Sequence, residues 1–261
     1  MRQFLLKGVR KVVQLILRIN SKLPAILEVE MQNIQGKGFG GFSVEVEAKM
    51  AIDFLSRSNI KKPVVLVIGA KIGIYSEAIL KVAPQTTIFA FEPSSVARKK
   101  LENRFIGNNS VRIIPFAIGR MISTETLWSD TAGSGLASLT KRKLDHFSID
   151  FNQSESVEVT TLDSWANTTN VVPNLIKIDV EGHELDVLKG GLKTLALAQV
   201  VQFEFGGCNI DTRTFFQDFW YLLTEAGFAI YRISVAGPIH IPRYSEREEC
   251  FRTTNYLAVR E

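Results

Sequence analysis

The chain has 261 residues, with 31 Lys and Arg against 27 Asp and Glu, a net charge of +4, and 46% hydrophobic and 22% charged residues. That length suits one large domain with a short attachment, and the composition excludes a disordered or fibrous chain. The modest charge is spread along the sequence and implies no nucleic-acid partner; two cysteines, Cys208 and Cys250, without metal-ligand spacing exclude a disulfide framework and suit free thiols in a reducing, cytoplasmic setting.

In the first twenty residues Phe4, Leu5, Val9, Val12, Val13, Leu15, Ile16 and Leu17 recur at roughly helical spacing. Lys7, Arg10, Lys11 and Arg18 interrupt every apolar run before it makes a signal h-region or a membrane span. The expected helix is a lid packed on the domain, with peripheral contact with an anionic membrane as the alternative. The run GKGFGG at 36–41 reads as a linker, which places a boundary near Gly41, between an attachment at 1–41 and a domain at 42–261. EVEAKMAIDFLSR then returns to helical periodicity through Val46, Met50, Ile52, Phe54 and Leu55.

From Pro63 onward short apolar runs alternate with helical segments. PVVLVIG, TTIFAF, VRIIPF, LIKID, VVQFEF, FAIYRI and NYLAVR give seven strands. Runs apolar throughout suit strands buried on both faces, so the pattern predicts an α/β fold with a doubly wound, mostly parallel sheet. The last two runs lack a long helix between them and are expected to pair antiparallel at one edge. Between 120 and 165, LWSD and VEVTTL read as two strands around a long polar connection, a length that is usually functional or disordered.

Gly69-Ala70-Lys71-Ile72-Gly73 joins the first strand to the next helix, where glycines let a ligand approach and backbone N–H groups face it. Glu92 ends the second strand about twenty residues later, where a carboxylate accepts ribose hydroxyls. Loop and acid together point to an adenosine-containing cofactor without saying which. Ser76 and Pro93 beside them, and Ala117 and Ile118 after the third strand as an adenine wall, complete the candidate cofactor site. The spacing lacks GxGxxG, which disfavours a nicotinamide-dependent oxidoreductase.

LIKIDVEGHELDVLKGG brings Asp179, Glu181, His183 and Glu184 to the end of the fourth strand and the start of a helix. His183 is the natural general base for an acceptor hydroxyl, since histidine changes charge nearest neutral pH. Asp179 is expected to orient the imidazole or the acceptor, to help hold the cofactor, or with Glu204 to ligate a divalent metal. Trp128, Gly133-Ser134-Gly135 and the run Lys141-Arg142-Lys143 mark 130–156 as a candidate acceptor-binding lid, the basic run reading as a solvated face or a grip on an acidic acceptor.

With FEPS at 91–94, TTLDSW at 160–165, IKIDVEGHELDVLKG at 176–190 and FEFGG at 203–207, the sequence resembles the FkbM family of S-adenosylmethionine-dependent methyltransferases over roughly residues 64–260. The resemblance implies a seven-stranded, Rossmann-like class I methyltransferase fold, S-adenosylmethionine as cofactor, and methylation of a hydroxyl on a sugar, glycolipid or natural product. His183, Asp179 and Glu181 would then be catalytic. The family's first motif usually reads Asp-x-Gly-Ala-Asn-x-Gly, and here Val67 and Lys71 replace the aspartate and the asparagine. Losing one such charge contact costs about 1.5 to 3 kcal/mol, so the expectation is weakened cofactor binding, or Lys71 reassigned to Glu92, Glu181 or the cofactor carboxylate. A non-catalytic binding or scaffold protein is the alternative.

Overall fold

The computed structural model describes residues 2–38, 43–58 and 60–260; the boundary expected near Gly41 lies outside them. Helices α1 (Arg2–Ile19) and α2 (Leu23–Ile34) come first, followed by α3 (Val44–Ser56), whose cap Ser43 accepts from the Val46 N–H. Helix α1 is not a lid. Leu6, Val9, Val12, Val13, Leu15 and Leu17 are exposed, and among the described residues its one extended contact is with α2. Helix α2 ties the pair to the domain: Arg252 donates to Gln32 Oε1 at 2.9 Å and to Asn33 Oδ1 at 3.3 Å, and Arg232 Nε donates to the Gln35 carbonyl at 2.7 Å.

The remaining elements are β1 (Val64–Ile68), α4 (Ile74–Val82), β2 (Thr87–Phe91), α5 (Ser95–Arg104), β3 (Val111–Ile114), β4 (Ala117–Ile118), β5 (Ser123–Ser129) and β6 (Gln153–Thr160). After them come α6 (Leu162–Thr169), β7 (Leu175–Ile178), α7 (Glu184–Lys189), α8 (Leu192–Leu195), β8 (Val200–Phe205), α9 (Cys208–Thr212), α10 (Phe216–Glu225), β9 (Phe228–Ser234), β10 (Gly237–His240) and β11 (Thr254–Arg260).

The main sheet runs β10-β9-β11-β8-β7-β1-β2-β3. Strands β1, β2, β3, β7 and β8 are parallel, as suits largely apolar strands buried on both faces. Alternate residues face opposite helical layers: Val65 and Val67 pack with α3, α4 and α5, whereas Leu66 and Ile68 pack with α6, α7, α8 and α10. The chain builds outward from β1 to β3, then returns to lay β7 on the other side of β1, so the strand order reverses between β1 and β7. Ile68 is level with both Phe91 and Ile178. Gly69, Glu92 and Asp179 therefore leave the sheet side by side, at the switch point where open α/β sheets hold ligands.

Three sequence expectations need correction. The sheet has eight strands, because β10 forms between the last two runs, where no strand was expected; Pro238 is tolerated there because β10 is an edge strand. The runs read as an antiparallel edge pair do pair antiparallel, but β11 is internal, antiparallel to both β8 and β9, with Tyr256, Leu257 and Ala258 fully buried. Ala117 and Ile118 do not extend the third strand: Pro115 lacks the N–H to continue the ladder, and the two residues form β4 in a separate sheet ordered β4-β6-β5. Strands β5 and β6 fall at the two runs read from sequence on either side of the long connection.

Candidate active site

A narrow cleft opens at the switch point, where open α/β sheets hold small-molecule ligands. Its walls bring together Gly69, Lys71, Glu92, Pro93, Ala117, Ile118, Asp179, Glu181 and His183, all singled out from sequence, with Ser134 and Gly135 of the expected lid. Phe91, Phe116, Leu127, Ala137 and Leu139 add an apolar lining that sequence reasoning did not assign. Ala70, Gly73 and Ser76 do not reach it. Ala70 is buried, Ser76 is fully buried in the first turn of α4, and Gly73 faces α5, where an added Cβ would lie 2.5 Å from the Phe105 ring.

The glycine loop does not offer a cradle of free donors. The N–H groups of Gly69 and Ala70 both donate to the Phe91 carbonyl, at 3.1 and 2.8 Å, and that of Gly73 to the Ala70 carbonyl at 2.8 Å. Gly69 is required because β1 and β7 leave the sheet so close together: its φ is +84°, and a Cβ would lie 1.8 Å from the Asp179 carbonyl oxygen. Lys71 follows, also left-handed at φ 50°, and its N–H donates to Glu92 Oε2 at 2.7 Å.

Glu92 is thereby fixed. Its Oε1 accepts from the Ser94 N–H at 2.9 Å, so each carboxylate oxygen has one backbone donor and retains acceptor capacity toward the cleft. Burial raises its pKa to about 7, against the lowering effect of the Ser94 and Lys71 N–H groups and the nearby Lys71 and Arg98 cations.

The Lys71 ammonium turns to the acid cluster, 3.3 Å from Glu181 Oε1 and 4.0 Å from Asp179 Oδ1. Asp179 chiefly, with help from Glu181 and Glu204 and against the cost of burial, pushes its pKa up. Asp179 Oδ2 is 3.7 Å from Lys177, and its Oδ1 is buried with no hydrogen-bond partner. Burial alone would raise the pKa of Asp179, but the Lys177 and Lys71 ammoniums outweigh it and hold the carboxyl below its ordinary range. An ionised acceptor without a donor, buried in the wall of a cleft, fits a ligand ammonium or hydroxyl.

Glu181, left-handed at φ 54°, is held between two cations: Arg142 Nη1 at 2.9 Å and Lys71 Nζ at 3.3 Å. Both carboxylate oxygens are so engaged, which leaves it a latch for the loop above. The same Arg142 reaches Asp211 Oδ2 at 3.2 Å, and Ser138 Oγ donates to the Glu181 carbonyl at 2.8 Å. Of the basic run, Arg142 is thus neither a solvated face nor open to an acceptor, and Lys141 lies over the Trp128 ring. Glu184 is fully buried and braces the turn by accepting from the N–H groups of Val180 and Gly182; burial lifts its pKa to about 7.

His183 engages both ring nitrogens. Nδ1 is 3.0 Å from Asp186 Oδ2 and Nε2 is 2.9 Å from Thr140 Oγ1. Asp186, rather than Asp179, orients the imidazole, one turn along α7; its spacing of three from His183 was the available signal. The hydrogen bond from His183, against partial burial, keeps Asp186 below the usual carboxylate range. Among the described residues no group of three or more His, Cys, Asp or Glu could hold a metal ion, so Asp179 and Glu204 lack the third ligand a metal site needs. Glu204 instead belongs to the cluster, its pKa raised well above the ordinary value by burial and by Asp179. Cys208 and Cys250 are free thiols, and burial pushes Cys208 up, away from reactivity.

Fold and site define a Rossmann-like α/β protein with its ligand cleft at the switch point. A sequence model of the Methyltransferase FkbM domain matches residues 68–230, and the chain belongs to that family. The 2-O-methyltransferase NoeI of Sinorhizobium fredii is 28% identical over 153 residues, 55% of this chain and 63% of that protein, so the chain spans less than two thirds of this relative's length. Solved structures similar in fold include the N-terminal domain of EvdMO1 in the presence of SAH and D-fucose, with TM-score 0.47, 10% identity and 84% of each chain covered. Another is a Methanococcus jannaschii fibrillarin, a pre-rRNA processing protein, with TM-score 0.46, 10% identity, and 77% of this chain and 67% of that one covered.

Proposed function

We propose that the protein is an S-adenosylmethionine-dependent O-methyltransferase whose acceptor is a hydroxyl of a sugar, glycolipid or natural product. The observation that carries the reading is the contact of His183 with a hydroxyl at the rim of the cleft: Thr140 Oγ1 lies 2.9 Å from Nε2 while Asp186 holds Nδ1. An Nδ1–H donated to Asp186 leaves Nε2 the acceptor of the hydroxyl proton, which is the tautomer a general base needs. Thr140 marks where an acceptor hydroxyl would stand, and its place in the lid means that an acceptor displaces it.

Family membership and the cleft support the cofactor. Glu92 would accept from the ribose hydroxyls, Phe91, Ala117, Ile118 and Leu127 would enclose the adenine, and the unpartnered Asp179 Oδ1 would receive the ammonium of the amino-acid end. Lys71, drawn toward Asp179 and Glu181, would meet the cofactor carboxylate and so take a role in place of the missing motif residues. The bound cofactor supplies a methyl group on a cationic sulfur. His183 takes the proton as the acceptor oxygen gains that methyl, and the apolar wall excludes water.

Calorimetric titration with S-adenosylmethionine and S-adenosylhomocysteine tests the reading, with micromolar to submillimolar dissociation constants expected. No heat and no thermal shift at millimolar ligand would overturn it. Transfer of labelled methyl to a panel of glycans and glycolipids then identifies the acceptor.

A further inference from the structure

We propose that the α1–α2 hairpin is a peripheral anchor that seats the protein on an anionic lipid surface. The inference rests on the N-terminal helices and is independent of the reading of the cleft.

Helix α1 carries five basic residues and no acidic one between positions 2 and 19. At 100° per residue, Lys7, Arg10, Lys11 and Gln14 fall on one arc of about 100°, and Leu6, Val9, Val12, Val13, Leu15, Ile16 and Leu17 lie on the rest of the circumference. The domain does not cover that apolar surface: Val9 and Val12 are each 57% exposed and Leu15 is 59% exposed. Helix α2 continues it, with Ile26, Leu27, Met31 and Ile34 also exposed, and an apolar groove between the helices is lined by Val13, Ile16, Pro24, Leu27 and Met31. Contiguous apolar surface of this extent marks an interaction site in a soluble domain.

The charge selects the occupant. Helix α1 borders its apolar face with cations alone, the two acids of the hairpin, Glu28 and Glu30, being on α2, and such a helix lies in the plane of a bilayer with the apolar side in the acyl boundary and Lys and Arg among anionic headgroups. No described helix is long and apolar enough to cross a membrane, which leaves the surface mode. Pairing of α1 with α1 of a second copy would set two helices, each without an acid, against one another, so like charges oppose it. The fastening of α2 by Arg252 and Arg232 means that the domain follows the hairpin to the surface.

Flotation of the full chain with phosphatidylcholine vesicles, with and without about a third phosphatidylglycerol, tests the proposal. The protein is expected to float with the anionic vesicles alone and to be released at roughly 0.5 M salt. The variant K7E/R10E/K11E should lower the partition coefficient by about a hundredfold or more, since each cation near such a surface contributes about 1 kcal/mol. The neutralising variant K7A/R10A/K11A should fall by less with its helical circular dichroism retained, and V9D/V13D should abolish binding through the apolar side. Equal binding to neutral vesicles, no binding to anionic ones, or binding unchanged in these variants would overturn the proposal. So would a two-chain mass by light scattering that V9D/V13D reduces to one, which would make the face an interface between copies.

Discussion

His183 gains its orientation from Asp186 and loses its free lone pair to Thr140, so a single side chain records both halves of the proposed chemistry. His183→Ala should lower kcat by about a hundred- to ten-thousandfold while leaving calorimetric binding of S-adenosylmethionine unchanged. Asp186→Asn, which would favour the wrong tautomer, should also lower kcat without altering that affinity. Turnover unaffected by either change would sink the assignment. Glu92 gives a pH prediction. As pH falls through its value of about 7 the carboxylate takes up a proton and loses acceptor strength, so the dissociation constant should rise, by up to about tenfold per unit, and Glu92→Ala should bind weakly at every pH. Folding has the opposite sign. The folded pKa is above the unfolded one, so the free protein should lose stability from this group as pH rises from about 4.5 to about 7, which denaturation series across that range would show.

Strands β1, β2, β7 and β8 were legible because burial on both faces demands short, predominantly apolar runs, interrupted here only by Thr87, Lys177, Gln202 and Glu204. Strand β10 was not, since Gly237 and Pro238 are unfavourable strand residues that only its place at the sheet edge excuses. The candidate site was legible where its residues directly follow a strand, as Glu92 and Asp179 do, or open the next helix, as His183 does. It was not legible in Thr140, which comes from the loop forty-three residues before His183, or in the loop N–H groups, whose carbonyl partner Phe91 belongs to another strand. That loop is a strap, joined to the β7–α7 turn through Arg142 and Ser138. Arg142→Ala should leave Glu181 and Asp211 without their cation and open the strap, which would appear as faster amide exchange over 131–143 with little change over β1 and β2. Uniform exchange in both regions would show that Arg142 merely decorates the surface.

Beneath the cleft a polar seam crosses the molecule. Glu47 of α3 accepts from Gln202 and Asn255, Asn255 accepts from Lys177 at 3.3 Å, and Lys177 faces Asp179, so the helix before β1 is wired to the site through β8, β11 and β7. Lys177 is the cation these carboxylates share. Burial opposes its charge, yet Asp179, Glu47 and Glu204 together raise its pKa. Lys177→Met should cost about 3 to 5 kcal/mol in chemical denaturation, because it leaves buried carboxylates uncompensated. In the variant these groups would bind protons more readily folded than unfolded, so the loss should be larger at pH 8 than at pH 5, and a loss independent of pH would argue against the shared role. Strand β11 supplies the seam's Asn255, and its position between β8 and β9 has a kinetic consequence. Both neighbours leave the ribosome first and must wait as open edges, one strand apart, with their apolar side chains uncovered. Sheet closure is therefore a late insertion, and the interval before it is when a nascent chain of this topology is most in need of a chaperone.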